Sequence, residues 1–481
     1  MNKLLTFLFL IVLSFTSGLF AQNSSSIWTG EASKWSNGNG TKENPYLIET
    51  PENLAYLSKI VLSEKKTFKG VYFKQTKDFD MNASTLPEDK KSFRPIGVFD
   101  AYQKTVNDKT QSFDESIPFD GVYDGDNHTI SNLYVFYDNE DNPYASKEEK
   151  AKKILTIGGG GLFGFIGPNG SLLNLKLSEN CTFVGGGSIA SLASCSMGRI
   201  FNCHSAASVS AKDIFSAGIV STILGGSIEH CSFTGNLIGT MTMGAICAYV
   251  DIPEGINVTG YETTPPVIIN TFAHGQMICK GSFAGQAFGF VGSPFTMKNS
   301  YVSVSISGDS NGDPMFTGRF IGTFDKPIYK DKSEFDHVYV DKTVTVASAE
   351  ALTSDGDKAI KGVVELSSQD MKTDDFVTKL GNAFVKDSSN KNDGFPILAE
   401  NPKEPEGLAP ITFDQFIITP MPVRDIANLN KEAEKIQIYS IEGRLLMTSS
   451  NTSSFDTSSL NDGIYVVLIN RTQSIKISVQ H

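Results

Sequence analysis

The apolar positions fall in short runs, and one local frame returns seven times along the chain. Asn132, Asn174, Asn202, His230, Asn270, Asn299 and His337 each follow an apolar residue two places back: Ile130, Leu172, Ile200, Ile228, Ile268, Met297 and Phe335. One place on stand Leu133, Leu175, Cys203, Cys231, Thr271, Ser300 and Val338; three places on stand Val135, Leu177, Ser205, Phe233, Ala273, Val302 and Val340. By subtraction the anchors are 42, 28, 28, 40, 29 and 38 residues apart. A coil of about 28 residues with loop insertions accounts for those steps. A second column sets a large apolar residue before a small one: Phe163-Gly164, Ile189-Ala190, Ile219-Val220, Ile246-Cys247, Phe288-Gly289 and Ile321-Gly322.

Strand side chains alternate faces with period two. Apolar positions at −2, +1 and +3 break that alternation at the anchor, which predicts a bend there. Asn tolerates left-handed backbone angles better than most residues. Stacked Asn amides can also hydrogen-bond to the amide one coil above. The segments are short, Gly-rich and β-branched, with no 3.6 periodicity. They predict an all-β chain: a right-handed parallel β-helix with short capping helices, followed by a small antiparallel β-sandwich. An open solenoid end needs a cover. Thr50-Pro51-Glu52 opens an amphipathic helix carrying Leu54, Leu57 and Val61, with Thr50 as cap. Ser367 to Gly381 predicts a second short helix stopped by Gly381.

The predicted organisation is a signal peptide (1–21), an N-terminal cap region (22–118), β-helix repeats (119–345), a C-terminal cap (346–398), a linker (399–410) and the sandwich (411–481). The leader has Lys3, an apolar run from Leu4 to Val12, then small residues to Ala21. That run is too short for a comfortable membrane span, and no later stretch predicts one. Export permits disulfides. The six cysteines (181, 195, 203, 231, 247 and 279) form no C-x-x-C, so no zinc pattern is present. Cys203 and Cys231 share a column and could approach disulfide range, but equivalent side chains in stacked strands point the same way. Buried small hydrophobes are the reading adopted. The formal charge of −12 argues against nucleic acid as a partner.

The stretch Phe119 to Val135 (FDGVYDGDNHTISNLYV), then GLFGFI, SLLNLKL, RIFNC and SIEHC, resembles the GLUG-motif repeats of bacterial surface proteins. Gly38 to Leu57 and Asn392 to Leu398 resemble that family's opening and closing segments. The resemblance implies a secreted or cell-surface role, often adhesion. The tail resembles the type A sorting domain of the Bacteroidota type IX secretion system. Its matching residues lie in PMPV (Pro420 and Pro422), IQIYSIEGRLL (Gly443), SSLNDGIYVVLI (Gly463 and Tyr465) and IKISV. Met421 stands where that pattern usually has Asn, and the terminus is not Lys-rich. This resemblance implies contact with the secretion machinery.

Candidate chemistry is sparse. Gly308 to Gly312 fits G-x-S-x-G, but Asp313-Pro314 follows and reads as a turn. Gly159 to Gly164 fits G-x-G-x-x-G without a following helix. The acidic turn Asp120 to Asp126 could bind Ca²⁺ weakly, and a solvated turn is preferred. His128 lies in that turn and is read as structural. Between Gly160 and Phe320 there are eight acids (Glu179, Asp213, Glu229, Asp251, Glu254, Glu262, Asp309 and Asp313), in no shared column. Acid–base chemistry on a sugar needs paired carboxylates in a cleft. The expectation is therefore no catalytic, cofactor or metal site. It is a non-catalytic binding, adhesin-like protein facing a glycan or a host or cell-surface protein. A structural stalk and a carbohydrate-active lyase or hydrolase are the alternatives. The expected contact regions are the insertions Pro253 to Pro266 and Asp325 to Glu334, because loops carry function on rigid scaffolds.

Overall fold

The computed structural model describes residues 27–82, 91–106, 109–137, 153–156, 158–251, 263–280, 283–308, 316–349, 351–400, 402, 418–419, 423–441, 444–470 and 473–481. The proposed signal peptide and most of the linker lie outside them. The chain divides into two compact units, residues 1–404 and 405–481.

The first unit is a parallel β-helix. One coil runs through strands Arg199–Ser205, Ser208–Ala211, Phe215–Ala217 and Val220–Ile223. The first two belong to one broad parallel sheet, and each of the others to a narrow six-stranded sheet. Along the broad sheet Leu172, Ile200, Ile228, Ile268, Met297 and Phe335 pair rung to rung. The polar residue two places on turns the corner. Asn174, Asn202, His230, Asn270, Asn299 and His337 have φ between 46° and 53°. That left-handed conformation reverses the alternation, so apolar residues on both sides of the corner enter one interior core running from Trp28 to Ile360.

The structure corrects both columns. Asn132 also has a positive φ, but it stands at a different corner. Ile130 pairs with Leu177 and with Phe79, whereas the residue in register with Leu172 is Tyr123. Below Asn174 the corner is formed by Gly125 to Asn127, with Asn127 N–H on the Asn174 carbonyl. A coil has more than one left-handed corner, and each favours the same local pattern. The second column slips as well. Phe163 is in register with Ala193, Val220, Cys247, Phe288 and Ile321. Ile189 sits in the other narrow sheet, opposite Gly160. Ile219 and Ile246 each precede the paired residue by one. Runs of Gly, Ser, Ala and Ile carry too little side-chain contrast to specify register on their own.

Among the described residues of the corner column, amide-to-amide hydrogen bonding is found at one step. Asn202 Nδ2 donates to Asn174 Oδ1 at 2.8 Å and to Asn127 Oδ1 at 3.0 Å, while Asn174 Nδ2 goes to Asp124 Oδ1 at 2.9 Å. His230 turns outward, its Nε2 2.9 Å from the Ala399 carbonyl.

The stack extends past both expected limits of the repeats. Tyr46–Ile48 pairs with Tyr72–Gln75, and Glu334–Asp341 pairs with Val363–Leu366, all in parallel. Helix α1 (Pro51–Glu64) joins the core at the first rung through Leu54, Leu57 and Val61. The Thr50 side chain accepts from the Asn53 N–H, which satisfies one of the helix's unpaired first-turn donors.

The C-terminal segment of this unit lies against the flank. A short 3₁₀ turn (Asp370–Lys372) precedes helix α3 (Asp374–Leu380), which Thr373 caps and Gly381 ends at φ 88°; helix α2 (Pro327–Lys332) lies in the insertion before it. Met371, Phe376, Leu380, Phe384, Phe395 and Leu398 pack on Phe272, Tyr301 and Tyr339, the outer residues of the broad sheet. That cluster is separate from the interior core. So the segment covers an outward aromatic column rather than an end.

Among its described residues the second unit has five strands, Ile418–Thr419, Ile426–Ser440, Leu445–Asp456, Gly463–Ile469 and Gln473–Val479, paired antiparallel. A register shift between Asn428 and Ala433 breaks the longest strand into two halves. Its own core includes Val423, Ile436, Ile438, Phe455, Val467, Ile477 and Val479.

Candidate binding surface

The narrow sheets carry an aromatic run that the interior core does not use. In the first narrow sheet the outward column reads Ser188, Phe215, Thr242, Phe283, Phe316. In the second it reads Phe165, Cys195, Thr222, Tyr249, Phe290, Thr323. Rungs in parallel sheets repeat at about 4.8 Å, close to the contact distance of stacked rings. Phe283 and Phe316 stack at 5.1 Å, and Tyr249 and Phe290 at 4.8 Å. Phe215 meets Tyr249 at 4.9 Å, and Phe283 meets Phe290 edge to face at 5.7 Å. Five rings are thereby in unbroken contact. At the N-terminal end Phe99 and Phe165 lie beneath cover. Toward the C-terminal end Tyr249, Phe283 and Phe290 are partly exposed, and Phe316 is 45% exposed.

Both insertions expected to make contacts leave the solenoid beside this run. Val250, Val291 and Phe324 are in register, so the next residues (Asp251, Gly292 and Asp325) share a column. A Cβ on Gly292 would stand 3.4 Å from the Asp251 Cβ and 3.5 Å from the Tyr249 ring. The insertion after Asp251 lies largely outside the described residues. The one after Asp325 contains α2, with Ile328 exposed. Two carboxylates two rungs apart therefore border the rings. This shared column escaped sequence reading because neither insertion length nor rung order is visible before the register is known.

A second, polar cluster lies outside the broad sheet. The Arg199 guanidinium sits 4.6 Å over the Phe201 ring, and its Nε is 3.3 Å from Glu229 Oε1. Ser227 Oγ donates to the same oxygen at 2.5 Å. His204 lies between Asn202 Oδ1 and Ser232 Oγ, at 3.1 and 3.0 Å. Burial pushes its imidazole down to about 3, and His230 and Lys176 add to the shift. Glu229 is thus tied up in an ion pair.

The other sequence candidates separate in space. Asp120 is buried and accepts from the Asn169 N–H at 3.2 Å; burial pushes its carboxyl up. Asp124 turns to Asn174, and Asp126 pairs with Lys74 at 3.0 Å. The acidic turn therefore does not converge on one point. His128 Nδ1 is 3.1 Å from Asp78. Gly159 belongs to a strand whose neighbour lies so close that a Cβ would stand 1.6 Å from the Ser188 carbonyl oxygen, which accounts for glycine there without a nucleotide. Asp309 to Gly312 of the G-x-S-x-G match, and Glu254, Glu262 and Asp313, lie outside the described residues. All six cysteines are buried, and none of them forms a disulfide. Among the described residues no group of three His, Cys, Asp or Glu could hold a metal ion, and no helix is long and apolar enough to cross a membrane.

In the second unit Gly463 opens a strand, and Tyr465 Oη donates to the Asn461 carbonyl at 2.8 Å. Pro420, Pro422 and Gly443 lie outside the described residues. Residues 418–480 match the family described as a secretion system C-terminal sorting domain. No curated protein matches the chain. Among solved structures, the chain is similar to a Bacteroides ovatus protein provisionally named an immunoglobulin A1 protease. The identity is 17% and the TM-score 0.48, over 76% of this chain and 95% of that one. The matched tail carries the conclusion: the second unit is a type IX secretion sorting domain, and the protein is exported to the cell surface or the extracellular space.

Proposed function

We propose that this chain is a non-catalytic, adhesin-like binding protein whose solenoid presents its outer flank to a glycan or to a host or cell-surface protein. The observation that carries this reading is the partly exposed aromatic run from Tyr249 to Phe316, bordered by two insertions. Partly exposed aromatic groups beside a few polar ones are what binding sites are built from. The resemblance of the coils to GLUG repeats supports the same reading, as does a tail that delivers the protein to the outside. The test is to screen the full chain on glycan and matrix-protein arrays and, in parallel, to measure reducing-end release from a polysaccharide panel. Array binding without release supports the reading. Turnover of any polysaccharide overturns it.

A second reading, a carbohydrate-active enzyme, draws on one observation: Asp251 and Asp325 share a column. Two rungs place them about 10 Å apart, at the outer limit of the carboxylate spacing for inverting glycoside hydrolysis. Loss of any observed turnover in both Asp251→Asn and Asp325→Asn would support it.

A further inference from the structure

We infer that the C-terminal end of the aromatic run is a stacking platform for a neutral glycan, with Phe290 and Phe316 as its floor. This rests on the binding-protein reading and names the ligand class for it. The stacks define where a ring face is left open. Phe316 is the last aromatic of its column and stands on the last strand of its sheet. Phe290 is followed on the next rung by Thr323, a smaller side chain with no ring. So neither ring is covered by another aromatic on the side toward the following rung. The two belong to neighbouring columns joined through Phe283, which touches both. The C–H face of a sugar ring is apolar and slightly positive, and suits the negative face of an aromatic ring.

Three observations choose the occupant. First, the two outward columns contain no charged residue from Ser188 to Thr323. Second, the carboxylates of Asp251 and Asp325 head the insertions on the Phe290 side, and with Lys326 Nζ 3.9 Å from Asp325 Oδ2 this group is still net negative. The carboxylates can accept from sugar hydroxyls and repel uronate or sulfate groups. Third, the surface is small. Phe316 at 45% and three partly buried rings expose at most about 300 Å² of aromatic side chain. A stable protein interface needs about 800 Å² on each partner. These rings alone fall well short of that for a second copy of this chain, whereas they suffice for a few sugar rings.

The test uses the full chain in native gels cast with soluble neutral polysaccharides (starch, xylan, glucomannan, galactomannan) and with two anionic ones (polygalacturonate and heparin). The expected result is retardation by at least one neutral polymer, unchanged between low and moderate salt because no ion pair is involved. Phe316→Ala and Phe290→Ala should each weaken it at least tenfold, with circular dichroism unaltered. Phe136→Ala, at an exposed ring in the broad sheet, should leave it unchanged. Binding only to anionic polymers overturns the platform, as does neutral binding that survives both variants. If the chain binds a matrix protein on the arrays and no polysaccharide, the platform falls and the binding-protein reading stands. If polysaccharide is turned over, the binding-protein reading falls, whatever the gels show.

Discussion

Asn202 stands directly above Asn174, and its side-chain amide donates to the Asn174 amide oxygen at 2.8 Å. Both residues are left-handed, at φ 52°. Asn202 therefore does two things: it lets the coil turn, and it joins adjacent coils. Replacement by glycine keeps the first role, and replacement by alanine keeps neither. Asn202→Ala should destabilise the protein by about 2 kcal/mol, combining left-handed strain with a lost hydrogen bond. Asn202→Gly should cost about half as much. The denaturant midpoints of the two variants check this, and alanine equal to or milder than glycine would contradict the corner assignment.

Cys203 and Cys231 occupy adjacent rungs of one column, buried and not joined by a disulfide. Burial pushes the Cys203 thiol up, and the neighbouring Cys231 thiol adds to the shift. Burial also raises Cys247, to about 12. Thiolate is the reactive form. Native protein should therefore be inert to maleimide at pH 8, and six thiols should titrate after unfolding without reductant. Four thiols would show that one pair is oxidised.

The His204 imidazole is held down to about 3, while an unfolded histidine titrates near 6.5. The folded state then stays neutral where the unfolded state takes up a proton. The stability involved is fully present above about pH 6.5 and is lost as the pH falls from there toward 3. His204→Gln should flatten the fall of the denaturation midpoint between pH 6.5 and 4. Identical slopes in variant and parent would refute the assignment.

Asp387 organises the loop between the two short antiparallel strands of the flanking segment. Burial works against its charge, but N–H groups of Asn392, Lys391 and Gly394 hold its carboxyl below the ordinary range. Those contacts span 2.7–3.1 Å. The loop they shape puts Asn392 Nδ2 on the Tyr301 hydroxyl at 2.9 Å and Asp393 3.1 Å from His274. Asp387→Ala should cost about 2 kcal/mol and open residues 387–399 to limited proteolysis before the coils are cut. Unaltered cleavage kinetics would show that the segment is held by its apolar contacts alone.

Removal of residues 405–481 takes away the sorting unit and leaves the other compact unit intact. The truncated protein should be missing from the cell surface and culture medium on fractionation. Normal surface display of the truncated chain would assign export to another segment.

The chain by itself determined whatever depends on a few adjacent residues. In the coils, the recurring frame of an apolar residue, any residue, Asn or His, and a further small or apolar residue marks a left-handed bend, because Asn and His tolerate that backbone and the bend lets both flanks point inward. Thr50-Pro51 starts a helix, Gly381 ends one, and the tail's motifs match a sorting domain, all from local chemistry. Tertiary structure decided what depends on which strands become neighbours. Asn132 shares the local frame yet belongs to another corner, since a local pattern carries no coil address. Ile189, Ile219 and Ile246 match as letters but not as rungs, because small apolar runs allow slippage. Phe215, Tyr249, Phe283, Phe290 and Phe316 are scattered over a hundred residues. Only the parallel register brings them into one stack and leaves the last rings facing solvent.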